Sequence, residues 1–307
     1  MRVVFMGSPE FSIPTLNELA RRYQIIGVVT QPDRPAGRGR RQSASAVKRF
    51  AIQSGLNIVE PVSLRAAQSI EQLASLTPDL IVVAAFGQIL PQAILELPPH
   101  GCLNVHASLL PRWRGASPVQ AAILHGDPET GVSIMRMDAG LDTGPIVAQR
   151  TTPIDAGETG GTLSTRLAQL GAELLVEVLP AYLAGEIAPA PQDESQATHA
   201  PRIKKDDGLI DLKLPAAQLA RQIRAFEPSP GSYLQWNGRR LLVRAARAAA
   251  IGKAAPGQVF EMDRRPAIGT GDGALVLERV QPEGKRSMDG QSFLQGWPDF
   301  LRAQLPG

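Results

Sequence analysis

The chain is 307 residues long, with 43 % hydrophobic and 20 % charged side chains, ordinary values for a globular protein and enough length for two domains with separate cores. No apolar run reaches the ~18–20 residues needed to cross a bilayer, and the first residues lack the basic, apolar and small-residue segments of a signal peptide, so a cytoplasmic location is expected. One cysteine, Cys102, and four histidines exclude an internal disulfide and argue against structural zinc.

The net charge of +3 is unevenly placed. Residues 1–200 carry 15 basic and 18 acidic side chains, whereas residues 201–307 carry 17 and 11. A basic C-terminal third is the footprint of a polyanion partner, or simply a solvated basic surface.

Residues 2–6 form a short apolar run that ends at Gly7 and read as a first strand. Residues 11–23 have helical spacing, with Phe11, Leu16, Leu19 and Ala20 near one face. Residues 25–30 read as a second strand, and 47–53 and 63–76 as helices. Residues 79–86 (DLIVVAAF) are apolar throughout and stop before Gly87, which fits a strand buried on both faces of a parallel sheet. Short strands are expected at 103–105, 132–137 and 146–151, and helices at 118–124 and 159–183. This alternation predicts an open, Rossmann-like α/β sheet with helices on both faces and a site beyond the carboxyl ends of the strands. Gly7, Gly87 and His106 fall at such ends.

After Gly185 the character changes. Residues 188–196 (APAPQDESQ) are proline-rich and polar and read as a linker. Beyond them lie a helix at 215–226 and short strands at 233–236, 241–243, 257–260 and 274–280, with an Asn237-Gly238 hairpin turn. A small β-barrel is the natural closure for such strands. The expected division is 1–187 for a catalytic domain, 188–206 for a linker and 207–307 for a second domain.

The densest polar cluster is Asn104, His106 and Ser108, whose alternation sets all three side chains on one face of an extended segment. Asp142 lies in the run Gly140-Leu-Asp-Thr-Gly144, a tight turn that can bring a lone carboxylate back toward a strand end. An Asn, a His and an Asp suit acyl transfer to an amine without a covalent intermediate. Asn104 can donate to a tetrahedral oxyanion. His106 can donate to that oxygen or shuttle a proton, and Asp142 can hold the His tautomer or accept the amine proton. Taken singly, each has a plainer reading: a turn Asn, a hydrogen-bonded structural His, a turn Asp.

Cys102 invites a thiol-nucleophile reading with His106. Four residues of extended chain separate the two by roughly 13 Å, which favours a buried structural thiol. Gly7-Ser8-Pro9 does not match a dinucleotide-binding glycine pattern. Residues 31–50 hold Arg34, Arg38, Arg40, Arg41, Lys48 and Arg49 against one acid, Asp33. Their prolines and glycines suggest a long flexible loop, and their arginines suggest phosphate contact.

The run Asn104-Val-His106-Ala-Ser108-Leu-Leu-Pro111, followed by Gly140-Leu-Asp142-Thr-Gly144, resembles the signature of the folate-dependent formyltransferases. The opening Met6-Gly-Ser-Pro-Glu-Phe11, the loop Gln31-Pro-Asp-Arg-Pro-Ala-Gly-Arg-Gly39 and the segments Ala197-Thr-His-Ala-Pro201 and Ile223-Arg-Ala-Phe226 resemble the branch of that family acting on methionyl-tRNA. The resemblance covers essentially the whole chain. It implies Asn104, His106 and Asp142 as catalytic residues, an OB-fold-like C-terminal domain, and 10-formyltetrahydrofolate as co-substrate, with no metal and no tightly bound cofactor.

The resemblance further places the folate near Ser108, Leu109, Leu110 and Pro111 and near Phe86, Gly87, Gln88, Ile89 and Leu90. It assigns Arg38, with Arg40 and Arg41, to initiator methionyl-tRNA. Arginines stand at 40 and 41 where lysines are common, and Ser8 replaces a more usual Thr. No membrane partner is implied, and a monomer is expected. The alternative is a formyltransferase acting on a nucleotide-linked amino sugar, which would use the same three residues without the arginine loop. A catalytically idle tRNA-binding module and a hydrolase releasing formate from the same folate are the remaining alternatives. The intact Asn104, His106 and Asp142 set argues against the first, and the amine-acceptor machinery would be superfluous in the second.

Overall fold

The apolar run at 79–86 lies near the centre of a seven-stranded sheet. A computed structural model of the chain describes residues 1–36, 41–251 and 254–306. Its contacts divide the chain into two units. The first comprises Met1–Pro118, Glu129–Pro153 and Ser164–Ala200, and the second Val119–Pro128, Ile154–Leu163 and Pro201–Gly307.

In chain order the elements through residue 200 are β1 (Arg2–Gly7), α1 (Ile13–Arg22), β2 (Gln24–Val29), β3 (Arg34–Ala36), β4 (Arg41–Ser43), α2 (Ala46–Gln53), β5 (Ile58–Val59), α3 (Ala67–Ser75), β6 (Leu80–Ala84), α4 (Gln92–Leu95), β7 (Cys102–His106), β8 (Arg114–Gly115), α5 (Pro118–His125), β9 (Glu129–Arg136), β10 (Ile146–Pro153), α6 (Gly160–Leu183) and β11 (His199–Ala200). The large sheet has the order β10-β9-β7-β6-β1-β2-β5. β7, β6, β1, β2 and β5 run parallel, and every residue of β6 and β7 is buried. Hydrophobic residues without alternation suit such two-sided burial. One apolar layer gathers Val4, Met6, Ile81, Val83, Ile94 and Cys102.

The sheet is mixed, not wholly parallel. β9 runs antiparallel to β7, and β10 antiparallel to β9. Met137 N–H donates to the Cys102 carbonyl at 2.7 Å, so the turn carrying Asp142 starts beside the first residue of β7 and folds back along that strand.

Two other expectations are modified. Residues 31–50 are not a loop throughout: β3 and β4 pair as an antiparallel ribbon, and α2 begins at Ala46 behind a Ser45 hydroxyl cap that accepts the Lys48 N–H at 3.0 Å. Residues 188–200 are tied down over much of their length. Ile146 and Ala190 exchange both backbone hydrogen bonds at 2.8 Å, and β11 runs parallel to β8. Proline-rich composition alone does not reveal such docking.

The second unit contains α7 (Ala216–Phe226), β12 (Ser232–Trp236), β13 (Arg239–Ala249), β14 (Val259–Met262), β15 (Arg265–Gly269), β16 (Ala274–Pro282), β17 (Met288–Asp289) and α8 (Gly290–Gly296). Its strands form an antiparallel sheet, β12-β13-β16-β15-β14, with β17 pairing β16. Leu234, Leu241, Ile268, Leu275, Leu277 and Phe293 lie in its core. Trp236, Phe293 and Phe300 meet edge to face, with ring centroids 5.1–6.0 Å apart.

Candidate active site

Asn104 and His106 occupy alternate positions of β7 and project from one face, with Cys102 two residues earlier. Both are buried, at 9 % and 5 % exposure, although polar side chains are rarely left inside without partners. Asp142 supplies a common one. Its Oδ1 lies 3.4 Å from Asn104 Nδ2 and 3.7 Å from His106 Nδ1. Its Oδ2 accepts the Gly115 N–H at 2.9 Å. Three groups from two separated segments thus converge around one carboxylate.

The imidazole is oriented from its other side. His106 Nε2 lies 3.0 Å from the Trp113 carbonyl oxygen. A carbonyl only accepts, so Nε2 carries the hydrogen and Nδ1 is the nitrogen turned toward Asp142. The Trp113 carbonyl favours the tautomer with its hydrogen on Nε2.

The turn around Asp142 depends on close backbone approach. Asp142 itself has φ 54°, in the left-handed region that Asp tolerates better than most residues. A Cβ at Gly144 would collide with the Arg136 carbonyl oxygen. At Gly115, φ 115° and a Cβ position 2.7 Å from the Ala200 carbonyl oxygen leave no room for a side chain.

Residues 108–111 serve first as structure. The Ser108 hydroxyl is fully buried and donates to the Arg112 carbonyl at 2.6 Å. Ser133 Oγ donates to the Ser108 carbonyl at 2.7 Å and accepts the Leu110 N–H at 3.0 Å. Gln149 Nε2 donates to the Leu110 carbonyl at 2.9 Å. Leu110 is buried, while Leu109 and Pro111 are half-buried. Sequence reasoning missed Ser133 and Gln149, which are ordinary polar residues on β9 and β10.

Residues 86–90 follow β6, whose Val83 pairs with Asn104, so they begin one strand over from the carboxylate cluster. Phe86 and Leu90 are buried, Gly87 and Ile89 are exposed, and Gly87 has φ 83°. The Phe86 carbonyl accepts Gln31 Nε2 at 3.2 Å. Gln88 is engaged internally, accepting the Leu64 N–H at 3.0 Å and donating to the Pro61 carbonyl at 3.2 Å.

With this geometry in place, comparison with known proteins is decisive. Residues 1–179 match the formyl transferase family, and residues 202–298 match the formyl transferase C-terminal domain. The methionyl-tRNA formyltransferase of Myxococcus xanthus (strain DK1622) is 48 % identical over 296 residues, 96 % of this chain and 95 % of that one. The chain belongs to the methionyl-tRNA formyltransferase family. Among solved structures, the sugar 3N-formyl transferase WlaRD superposes with a TM-score of 0.68 at 19 % identity, over 93 % of this chain and 99 % of that one. HypX from Aquifex aeolicus gives 0.65 at 20 % identity over 97 % of this chain, which spans 47 % of the HypX chain. At such identities these two speak for the fold alone.

Cys102 has no part in the cluster of this family member. It is 1 % exposed, and burial pushes its thiol up to about 12. Its Sγ lies 3.7 Å from the Ile94 carbonyl oxygen, as a structural thiol would.

The basic residues expected at 31–50 divide into two sets. Lys48 Nζ bridges Asp33 and Glu60, each at 2.9 Å, and Arg49 pairs with Glu10 at 2.9 Å, so both are held by carboxylates of the chain itself. Arg38 and Arg40 lie outside the described residues, and Arg41 is the first residue of β4. In the second unit the Arg240 guanidinium sits over the Tyr233 ring, 4.3 Å from its centroid. Among the described residues no group of three or more His, Cys, Asp or Glu could hold a metal ion, and no helix is long and apolar enough to cross a membrane.

Proposed function

We propose that this chain transfers the formyl group of 10-formyltetrahydrofolate to the free amino group of initiator methionyl-tRNA, a step of translation initiation carried out in the cytoplasm. The amine nitrogen attacks the formyl carbon directly. A tetrahedral oxyanion forms, the bond from that carbon to the folate nitrogen breaks, and the departing nitrogen gains a proton as the amine loses one. The observation that carries this reading is the convergence on Asp142, with Asn104 Nδ2 at 3.4 Å and His106 Nδ1 at 3.7 Å from one oxygen.

Each residue then has a role fitted to its surroundings. Asn104 has a second amide hydrogen for the oxyanion, and a donor of that kind is worth ~3–4 kcal/mol of transition-state stabilisation. His106 Nδ1 and the Asp142 carboxylate are two acceptors 3.7 Å apart, so either can take the proton from the amine and return it to the leaving nitrogen. The high thiol pKa of Cys102 supports direct transfer without a covalent enzyme intermediate.

In this proposal Ser108, Leu109, Leu110 and Pro111 and the stretch Phe86, Gly87, Gln88, Ile89 and Leu90 flank the folate, with Ser108 and Gln88 acting through the backbone they hold. Residues 1–187 form the catalytic domain, 188–206 the connection and 207–307 a tRNA-binding domain whose antiparallel strands close as an OB-like barrel. Arg38, Arg40 and Arg41 reach the acceptor end of the tRNA. The test offers a labelled formyl donor with charged initiator tRNA, uncharged tRNA and a nucleotide-linked amino sugar. Label is expected only on the charged tRNA; transfer to the amino sugar instead would overturn the proposal.

A further inference from the structure

Gln192 lies in the proline-rich stretch that composition marks as a linker, yet its side chain grips the Asp142 turn. Its Nε2 donates to the Asp142 carbonyl oxygen at 2.9 Å and to the Gly144 carbonyl oxygen at 2.7 Å. Its Oε1 accepts from Arg114 Nε at 3.0 Å and from Arg114 Nη2 at 2.8 Å. Arg114 is 2 % exposed, and its guanidinium is completed by a two-point contact with Glu194 at 2.7 and 2.8 Å. That contact holds the Glu194 carboxyl below the usual range. The next residue, Gly115, donates its N–H to Asp142 Oδ2.

We infer that Gln192 is a positioning residue for the formyl transfer, locking the Asp142 turn to the β8 segment so that the carboxylate stays between Asn104 and His106. The inference rests on the catalytic reading of Asp142 given above. The turn is braced within itself, Asp138 Oδ1 accepting the Gly140 N–H at 3.0 Å and the Thr143 hydroxyl at 2.7 Å, but neither contact ties it to β8. Its carboxylate is fixed on one oxygen by Gly115, and its backbone must be fixed separately for the other oxygen to keep its place. The Gln192 amide does this while also accepting the Arg114 fork that lies beside Gly115. Of side chains this long, only an amide combines two donors with an acceptor at its end. One side chain therefore ties together both supports of the carboxylate.

The experiment uses the full chain with Gln192→Glu, Gln192→Met, Asp142→Asn and the Gln192→Glu/Asp142→Asn double variant, measured by steady-state formyl transfer and by thermal unfolding. Gln192→Glu keeps the acceptor for Arg114 but replaces the donor to the two carbonyls with an oxygen. It is expected to fold as the parent does and to lose ~10–100-fold in kcat through misplacement of the carboxylate, with KM for the formyl donor unchanged. Gln192→Met, which loses both ends, is expected to fall at least as far. In the double variant the Gln192→Glu change is expected to add nothing to the loss from Asp142→Asn, because it acts through that carboxylate. Parental kcat in Gln192→Glu beside a collapsed Asp142→Asn would overturn the inference and leave the role of Asp142 intact. Full additivity in the double variant would also overturn it, placing the effect elsewhere. Parental kcat in Asp142→Asn would remove the catalytic reading itself, and the inference with it.

Discussion

The Trp113 carbonyl oxygen stands 3.0 Å from His106 Nε2, and this contact favours a neutral ring with its hydrogen on Nε2. Because the carbonyl cannot donate, the neutral imidazole is expected as the Nε2–H tautomer, with Nδ1 free to take a proton beside Asp142. Nitrogen-15 and carbon-13 NMR of labelled histidine reads this directly. A neutral His106 found protonated on Nδ1 would contradict the assignment.

Asn104→Ala is expected to lower kcat by ~10²–10³, the usual cost of one oxyanion donor, while binding of the folate donor survives. The side chain is buried beside Asp142, and its proposed role rests on its amide, so turnover and donor affinity should separate. Turnover equal to the parent would remove Asn104 from the oxyanion.

How far this site is legible in the sequence differs from residue to residue. Asn104 and His106 are visible because a strand repeats every two residues, and Asp142 because the glycines beside it announce a tight turn. Trp113 and Gly115 act through backbone atoms, which no side-chain pattern encodes. Gln192 is hidden by composition, since proline and polar residues look the same whether docked or free. In the second unit, β15 escapes notice because its hairpin turns at Asp263 and Arg264, with φ of 51° and 60°, without any glycine. β13 is longer than expected because its Arg244–Ala249 portion, made of helix-favouring Arg and Ala, is recruited into the sheet by pairing with β16.

Cys102 provides a pH-dependent test. Its thiol ordinarily titrates near 9 but is pushed up to about 12 in the folded chain by burial. Between those values the unfolded chain releases a proton that the folded chain keeps, so the contribution is fully present below about 9 and is lost as pH rises toward 12. Thermal unfolding of the parent should therefore weaken more steeply above pH 9 than that of Cys102→Ala, whose activity should persist. Parallel unfolding profiles, or rapid alkylation of the native thiol at pH 8, would contradict this account of Cys102.

The tRNA interaction is tested by salt. Arg38, Arg40 and Arg41 are proposed to meet phosphates, whereas Lys48 and Arg49 are already held by Asp33, Glu60 and Glu10. Removing one cation from a phosphate should reduce the slope of log affinity against log salt by about 0.7–0.9. Arg38→Ala is expected to raise KM for charged tRNA and flatten that slope by roughly one such increment, with KM for the folate donor unchanged. Lys48→Met is expected to leave the slope alone, because its charge is neutralised within the chain. A slope indifferent to Arg38 but sensitive to Lys48 would reverse the assignment and move the phosphate-binding cations from residues 38–41 to the start of α2.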